Sequence, residues 1–142
     1  MTPTPLLFLD FDGVLSPGIS GTLIYRDKLE KFLFQHTSIQ VVLSTSWRID
    51  YPFADLVAVF AEAIQPRIIG KTPDLEHTGQ RAIREIEIKT WLKENNPRAK
   101  WVALDDDASL FSGNCPQLVL CETIRGLREK QCREIEQKLD LT

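Results

Sequence analysis

The sequence predicts an α/β fold, doubly wound around a parallel sheet. Three observations predict it. Short continuous apolar runs recur along the chain, with the length and β-branched content of strands buried on both faces. Segments with helical apolar spacing separate them. Three of the runs end abruptly in acids or hydroxyls, as expected where parallel strands deliver polar groups to one edge. A single domain is expected over residues 1–142. At that length one core buries about 68–70% of the unfolded chain's surface.

Leu6–Leu9 is the first apolar run, bounded by Pro5 and by Asp10 and Asp12. Ser16 to Gly21 holds Pro17, Gly18 and Gly21 and reads as a loop. Asp27 followed by Glu30 resembles a capping box, with Leu29, Phe32 and Leu33 at helical spacing. Ile39–Leu43 is the second strand and runs into Ser44-Thr45-Ser46. Asp50-Tyr51-Pro52 opens another helix, with proline just inside its start and Leu56, Val59, Phe60 and Ala63 as its inner face. Arg67–Ile69 is a short strand closed by Gly70, and Lys71–Gln80 reads as loop. Ile83, Ile86, Trp91 and Leu92 mark one face of a helix that Asn95-Asn96-Pro97 stops. Trp101–Leu104 is a fourth strand, ending in Asp105-Asp106-Asp107, and Leu118–Cys121 a fifth. A last helix is expected from Gly126 to Leu139, with Leu127, Ile135 and Leu139 inward.

Composition is that of an ordinary globular protein, 43% hydrophobic and 26% charged. Seventeen basic against 20 acidic residues leave a net charge of −3. No extended nucleic-acid surface is therefore expected, although a local patch is compatible with these numbers. No stretch approaches the roughly 18 apolar residues of a membrane span. The N-terminus has neither a basic segment nor a cleavage site of a leader. Cys115, Cys121 and Cys132 form no close pair, which points to structural thiols in a reducing cytoplasm. His36 and His77 lack metal-ligand spacing and are expected at the surface.

The strand-end clusters carry the chemistry. Asp10 and Asp12 alone could cap a strand and hold a turn. A second acidic cluster, Asp105–Asp107, after another buried strand argues against that. Carboxylates crowded into one cleft repel and raise one another's pKa unless a cation sits among them. Mg²⁺ is the simplest resolution, because it takes one or two carboxylates and completes its shell with water and phosphate. If the chain turns after Asp10, one carboxylate can attack a phosphoryl group while the other serves the leaving group as acid and then base. Gly13 permits that turn. The hydroxyls and N–H groups of Ser44, Thr45 and Ser46 suit phosphate oxygens, and Arg48 could grip phosphate with its two-pronged guanidinium. Fixed positive charge for the transition state could come from Lys71, Arg81 or Arg84.

These stretches resemble a known family. "LLFLDFDGVL" is similar to the first motif of the haloacid dehalogenase-like (HAD) superfamily, an apolar strand followed by DxDG[VT]. "VVLSTSW" resembles its second motif and "WVALDDD" its fourth, in the family's order and over nearly the whole chain. The resemblance implies a Rossmann-like three-layer sandwich with about five parallel strands. It implies Asp10 as nucleophile and Asp12 as general acid/base. Mg²⁺ would be held by Asp10, the backbone carbonyl of Asp12, and Asp106, with Asp105 beside it and Asp107 less suited. The second motif falls on Ser44 counted from the strand or on Thr45 counted back from "TSW". The third falls on Lys71 or Arg84. The pattern R-x-x-E-I-x-x-W-L, from Arg84 to Leu92, resembles small bacterial and phage HAD-domain proteins, some similar to domains attached to RNA-repair enzymes.

Many members of that superfamily insert a cap domain, and here no gap is long enough for one. The implied activity is an open-site phosphatase acting through an aspartyl-phosphate. Its substrate would be a phosphorylated small molecule or the phosphorylated end of a macromolecule, including a nucleic-acid end. A catalytically weak domain that binds a phosphorylated partner is the alternative. Receiver domains also gather acids, a Ser/Thr and a Lys, but in another order and with no use for Asp12. Dehalogenating relatives lack the second aspartate. Oligomeric state is not legible.

Overall fold

A computed structural model describes residues 4–18 and 20–141. Five parallel strands form its sheet: β1 (Leu6–Leu9), β2 (Gln40–Leu43), β3 (Ile68–Lys71), β4 (Trp101–Asp105) and β5 (Leu118–Leu120). Their order is β3-β2-β1-β4-β5, with β1 paired in register to β2 and β4 on either side. The helices are α1 (Arg26–Gln35), α2 (Trp47–Asp50), α3 (Phe53–Val57), α4 (Ile83–Asn95) and α5 (Glu129–Lys138). The expected Rossmann-like three-layer architecture is thus present, and among the described residues only short loops connect its elements, with no cap. Ile19, within the loop expected over Ser16–Gly21, lies outside the described residues.

Alternation along the strands builds two cores. Leu7, Leu9, Val41, Leu43, Val102 and Leu104 face one layer, where α1, α3 and α5 supply Leu29, Leu56 and Ile135. Leu6, Phe8, Val42 and Ala103 face the other, where α4 supplies Ile88, Trp91 and Leu92. Phe8 meets Trp91 and Trp101 edge to face, with ring centroids 5.7 Å apart in each pair. Every residue of β1 is fully buried, which is why its sequence shows a solid apolar run instead of alternation.

Several local expectations need correction. Glu30 does not close a capping box: its carboxylate accepts from the Ala61 N–H at 2.6 Å, tying α1 to the segment after α3. Pro52 stands just outside α3, Ala63 is exposed, Val59 is half-buried, and Ile64 fills the core in their place. An unforeseen short helix, α2, follows β2 directly. Gly70 does not end β3 but lies within it, because Trp91 packs there. A Cβ at Gly70 would come within 3.2 Å of the indole nitrogen. Lys71 therefore ends the strand, and Glu76–Thr78 forms a turn of 3₁₀ helix within the expected loop. α5 starts at Glu129 and not at Gly126; the Gln131 side chain accepts from the Arg128 N–H at its start. His36 is half-buried and pairs with Glu136 at 2.7 Å, whereas His77 is exposed as expected. All three cysteines are free, and burial pushes their thiols up. Among the described residues no helix is long and apolar enough to cross a membrane.

The α4 helix departs furthest from its apolar pattern. Ile83 and Ile86 are only half-buried, while Arg84, Glu85 and Glu87 are buried beside Ile88, Trp91 and Leu92. Burial raises the Glu85 carboxyl, but hydrogen bonds from Lys89 and from the Ser112 N–H and hydroxyl outweigh it and hold the group at about 2. A depressed folded-state pKa contributes stability that is fully present above the unfolded value and is lost as pH falls through the folded one. Urea unfolding at stepped pH should therefore show wild type more stable than Glu85→Gln above pH ~4.5, the gap closing toward pH ~2. A gap independent of pH would mean that the Glu85 charge contributes nothing.

Candidate active site

All five strands run the same way, so their carboxyl ends share one edge. The chain leaves β1 outward to β2 and β3 and returns to β4 on the other side, placing the topological switch point between β1 and β4. The ladder continues one step beyond the strands. Asp10 N donates to Leu104 O, Ser44 N to Leu9 O, and Cys121 N to Asp105 O. Main-chain pairing therefore sets the positions of Asp10, Ser44 and Asp105.

Oxygens of Asp10, Asp105 and Asp106 lie within 4.8 Å of one another. Burial, then the charges of Asp105 and Asp106, push the Asp10 carboxyl up to about 9. Burial likewise raises Asp105, to about 6, against the opposing Asp107 N–H and the Arg84 charge. Asp105 Oδ1 accepts from the Asp107 N–H, but Oδ2 is buried without a partner. A buried acceptor left unpaired among three carboxylates is costly. A hard oxygen-seeking cation would satisfy it, so the donor set fits Mg²⁺. Asp106 is held from outside: its Oδ2 accepts from the Thr123 hydroxyl at 2.8 Å. Gly13 makes room for it, because a Cβ there would sit 2.1 Å from Asp106 Oδ2, and its φ of +76° suits glycine.

Asp12 does not join the cluster. The chain turns after Asp10, with Val14 N and Leu15 N donating to Phe11 O, and the Phe11 ring is fully buried. Asp12 Oδ2 instead accepts from the Trp47 indole N–H at 3.0 Å. The turned arrangement that separates the two acids is the one present.

The remaining expected residues divide. Ser44 and Thr45 are enclosed, Thr45 Oγ1 accepting from Trp47 N, while Ser46 is exposed. Lys71, at the end of β3, is exposed and forms no ion pair among the described residues. Arg84 is buried, pairing with Glu87 at 2.7 Å and Glu76 at 3.8 Å, and its charge reaches Asp105. Arg48 contradicts the phosphate-gripping expectation. It is only 4% exposed, and its donors go to the carbonyls of Ser44, Thr45, Thr72 and Pro73 and to Glu87. Those contacts occupy its five N–H groups, so none is left for a ligand.

Reasoning from the sequence missed three residues here. Trp47 follows the Ser/Thr cluster directly, which was a usable signal. Glu87 stands three residues after Arg84, a spacing that pairs charges on a helix. Thr123 carried no signal. Beside Asp106 and Thr123 opens a cavity of about 910 Å³, lined also by Leu120, Cys121, Arg128 and Lys130.

A family profile described as "HAD domain in Swiss Army Knife RNA repair proteins" matches residues 6–132. No curated protein and no solved structure matches the chain.

Proposed function

The chain belongs to the HAD-domain family found in Swiss Army Knife RNA repair proteins, and from that membership we propose that it is a Mg²⁺-dependent phosphomonoester hydrolase. The observation that carries the reading is the Asp10–Asp105–Asp106 cluster, with its unpartnered Asp105 oxygen, at the sheet's switch point.

Asp10, Asp106 and the Asp12 backbone carbonyl would hold Mg²⁺, with Asp105 close behind. Bound there, the ion supplies positive charge that neutralises these carboxylates and the phosphate oxygens. The Asp10 carboxylate attacks phosphorus as the ester P–O bond breaks, and the leaving oxygen takes the electron pair and a proton from Asp12. In the second half, water attacks the phosphorus, Asp12 accepts its proton, and the Asp10–phosphorus bond breaks to release phosphate. Ser46 and the main chain after Ser44 and Thr45 border the place for phosphate oxygens, and Lys71 is an exposed cation at the end of β3.

The family's occurrence in RNA repair proteins makes phosphorylated nucleic-acid ends the first substrates to test. The assay is phosphate release with Mg²⁺ from 3′- and 5′-phosphorylated oligonucleotides, nucleotides, sugar phosphates and phosphopeptides. Release from none of them overturns the reading, and tight phospholigand binding without turnover would mark a binding domain instead.

Mg²⁺ should also stabilise the fold. At 100 times its Kd the gain is about 2.7 kcal/mol. Because Asp10 and Asp105 are raised, the ion must displace protons, so the thermal shift should grow between pH 6 and pH 9. A melting temperature indifferent to Mg²⁺ and EDTA at both pH values would exclude the cluster as its site.

A further inference from the structure

We propose that Trp47 is the positioning residue that orients the Asp12 carboxyl and selects which of its oxygens carries the transferred proton. The proposal rests on the reading of Asp12 as the general acid. An indole N–H is a donor only. The oxygen it meets, Asp12 Oδ2 at 3.0 Å, must therefore accept. A carbonyl oxygen accepts better than a carboxylic hydroxyl, so in the protonated acid this bond favours the proton on Oδ1, the oxygen left for the leaving group.

Trp47 is built to hold that position. Its ring packs edge to face on buried Phe11, with centroids 5.3 Å apart, and against Tyr51 at 5.7 Å. Its main-chain N–H donates to Thr45 Oγ1, at the start of α2. Phe11 lies between Asp10 and Asp12 in sequence, so one aromatic contact fixes the indole relative to both acids. Free rotation about the Asp12 side-chain bonds would present either oxygen; the hydrogen bond removes that choice. The proton moves from Oδ1 to the departing ester oxygen as the P–O bond breaks. The carboxylate left behind keeps Oδ2 on the indole, with Oδ1 free to take a proton from the attacking water.

The chemical signature is dependence on the leaving group. An alkoxide needs protonation as it departs, whereas a dinitrophenolate does not. The test measures kcat and KM with Mg²⁺ for a series of phosphomonoesters from alkyl to dinitrophenyl, on wild type, Trp47→Phe and Asp12→Asn. Phenylalanine keeps the ring contacts and loses the N–H. Should Trp47→Phe fold poorly, β-(3-benzothienyl)alanine at position 47 keeps the tryptophan shape without the donor.

Loss of one hydrogen bond to the acid should lower kcat about 10-fold for alkyl esters. The dinitrophenyl ester should be nearly unaffected, with KM little changed throughout. Asp12→Asn should show the same pattern more steeply. Equal losses across the series for both Trp47 replacements, beside a steep Asp12→Asn series, overturn the role of Trp47 alone. A flat Asp12→Asn series overturns the acid assignment and this proposal with it.

Discussion

Asp10→Asn should lower phosphate release by roughly 10⁴-fold or more, the scale on which loss of a covalent nucleophile acts. Asparagine cannot form the acyl phosphate, so acid-quenched wild type should carry label from a ³²P substrate and the variant should carry none. The substitution should also be nearly silent for the fold. In the metal-free protein, burial and the two neighbouring acids raise Asp10 to about 9, so at neutral pH the group it replaces is an uncharged acid of the same shape. Melting without Mg²⁺ should therefore be close to wild type, while the gain on adding Mg²⁺ should shrink. Equal turnover by the two proteins would remove Asp10 from the chemistry.

Glu87→Ala should cost about 3–5 kcal/mol, because it leaves buried charges uncompensated. The Glu87 side chain is 0% exposed, with Oε1 2.8 Å from Arg48 and 2.7 Å from Arg84. Its Oε2 accepts from the Leu75 N–H at 2.8 Å. Without it, two guanidiniums buried in the same pocket face each other with little to offset them. Burial already lowers Arg48, and Glu87 is the foremost group acting against that. Against a typical total stability of about 5–15 kcal/mol, the loss is severe. The melting temperature should fall by roughly 10–20 °C. Glu87→Gln, which keeps hydrogen-bonding atoms without the charge, should lie between. A fall of under about 2 °C for Glu87→Ala would show that solvent or other acids already screen both arginines.

The same cluster explains why α4 misleads a reader of the sequence. Helical periodicity assumes that the buried face is apolar. The first half of α4 lies near the edge that carries Asp105, and its buried face carries Arg84, Glu85 and Glu87, whose partners include Arg48 and Ser112. No local pattern shows that residues 39 positions apart, Arg48 and Glu87, neutralise each other. Arg48 itself looked available to phosphate because its neighbours in sequence are hydroxyls. In the fold it is the tie between β2, β3 and α4.

The strands β1, β2, β4 and β5 were legible because each is short, mainly apolar and bounded by polar or turn-forming residues. A strand buried on both faces has that signature in one dimension. The sequence alone therefore determined the α/β class, the apolar strands, and the acids and hydroxyls placed at their ends. Only the tertiary structure decided which of those groups meet: Asp10 with Asp105 and Asp106, Asp12 with Trp47, Arg48 with Glu87. The reason is physical. Strand formation and burial follow from local pattern, but the pairing of polar side chains depends on strand order and helix placement. Those bring residues tens of positions apart within hydrogen-bond reach, where desolvation makes each missing partner costly.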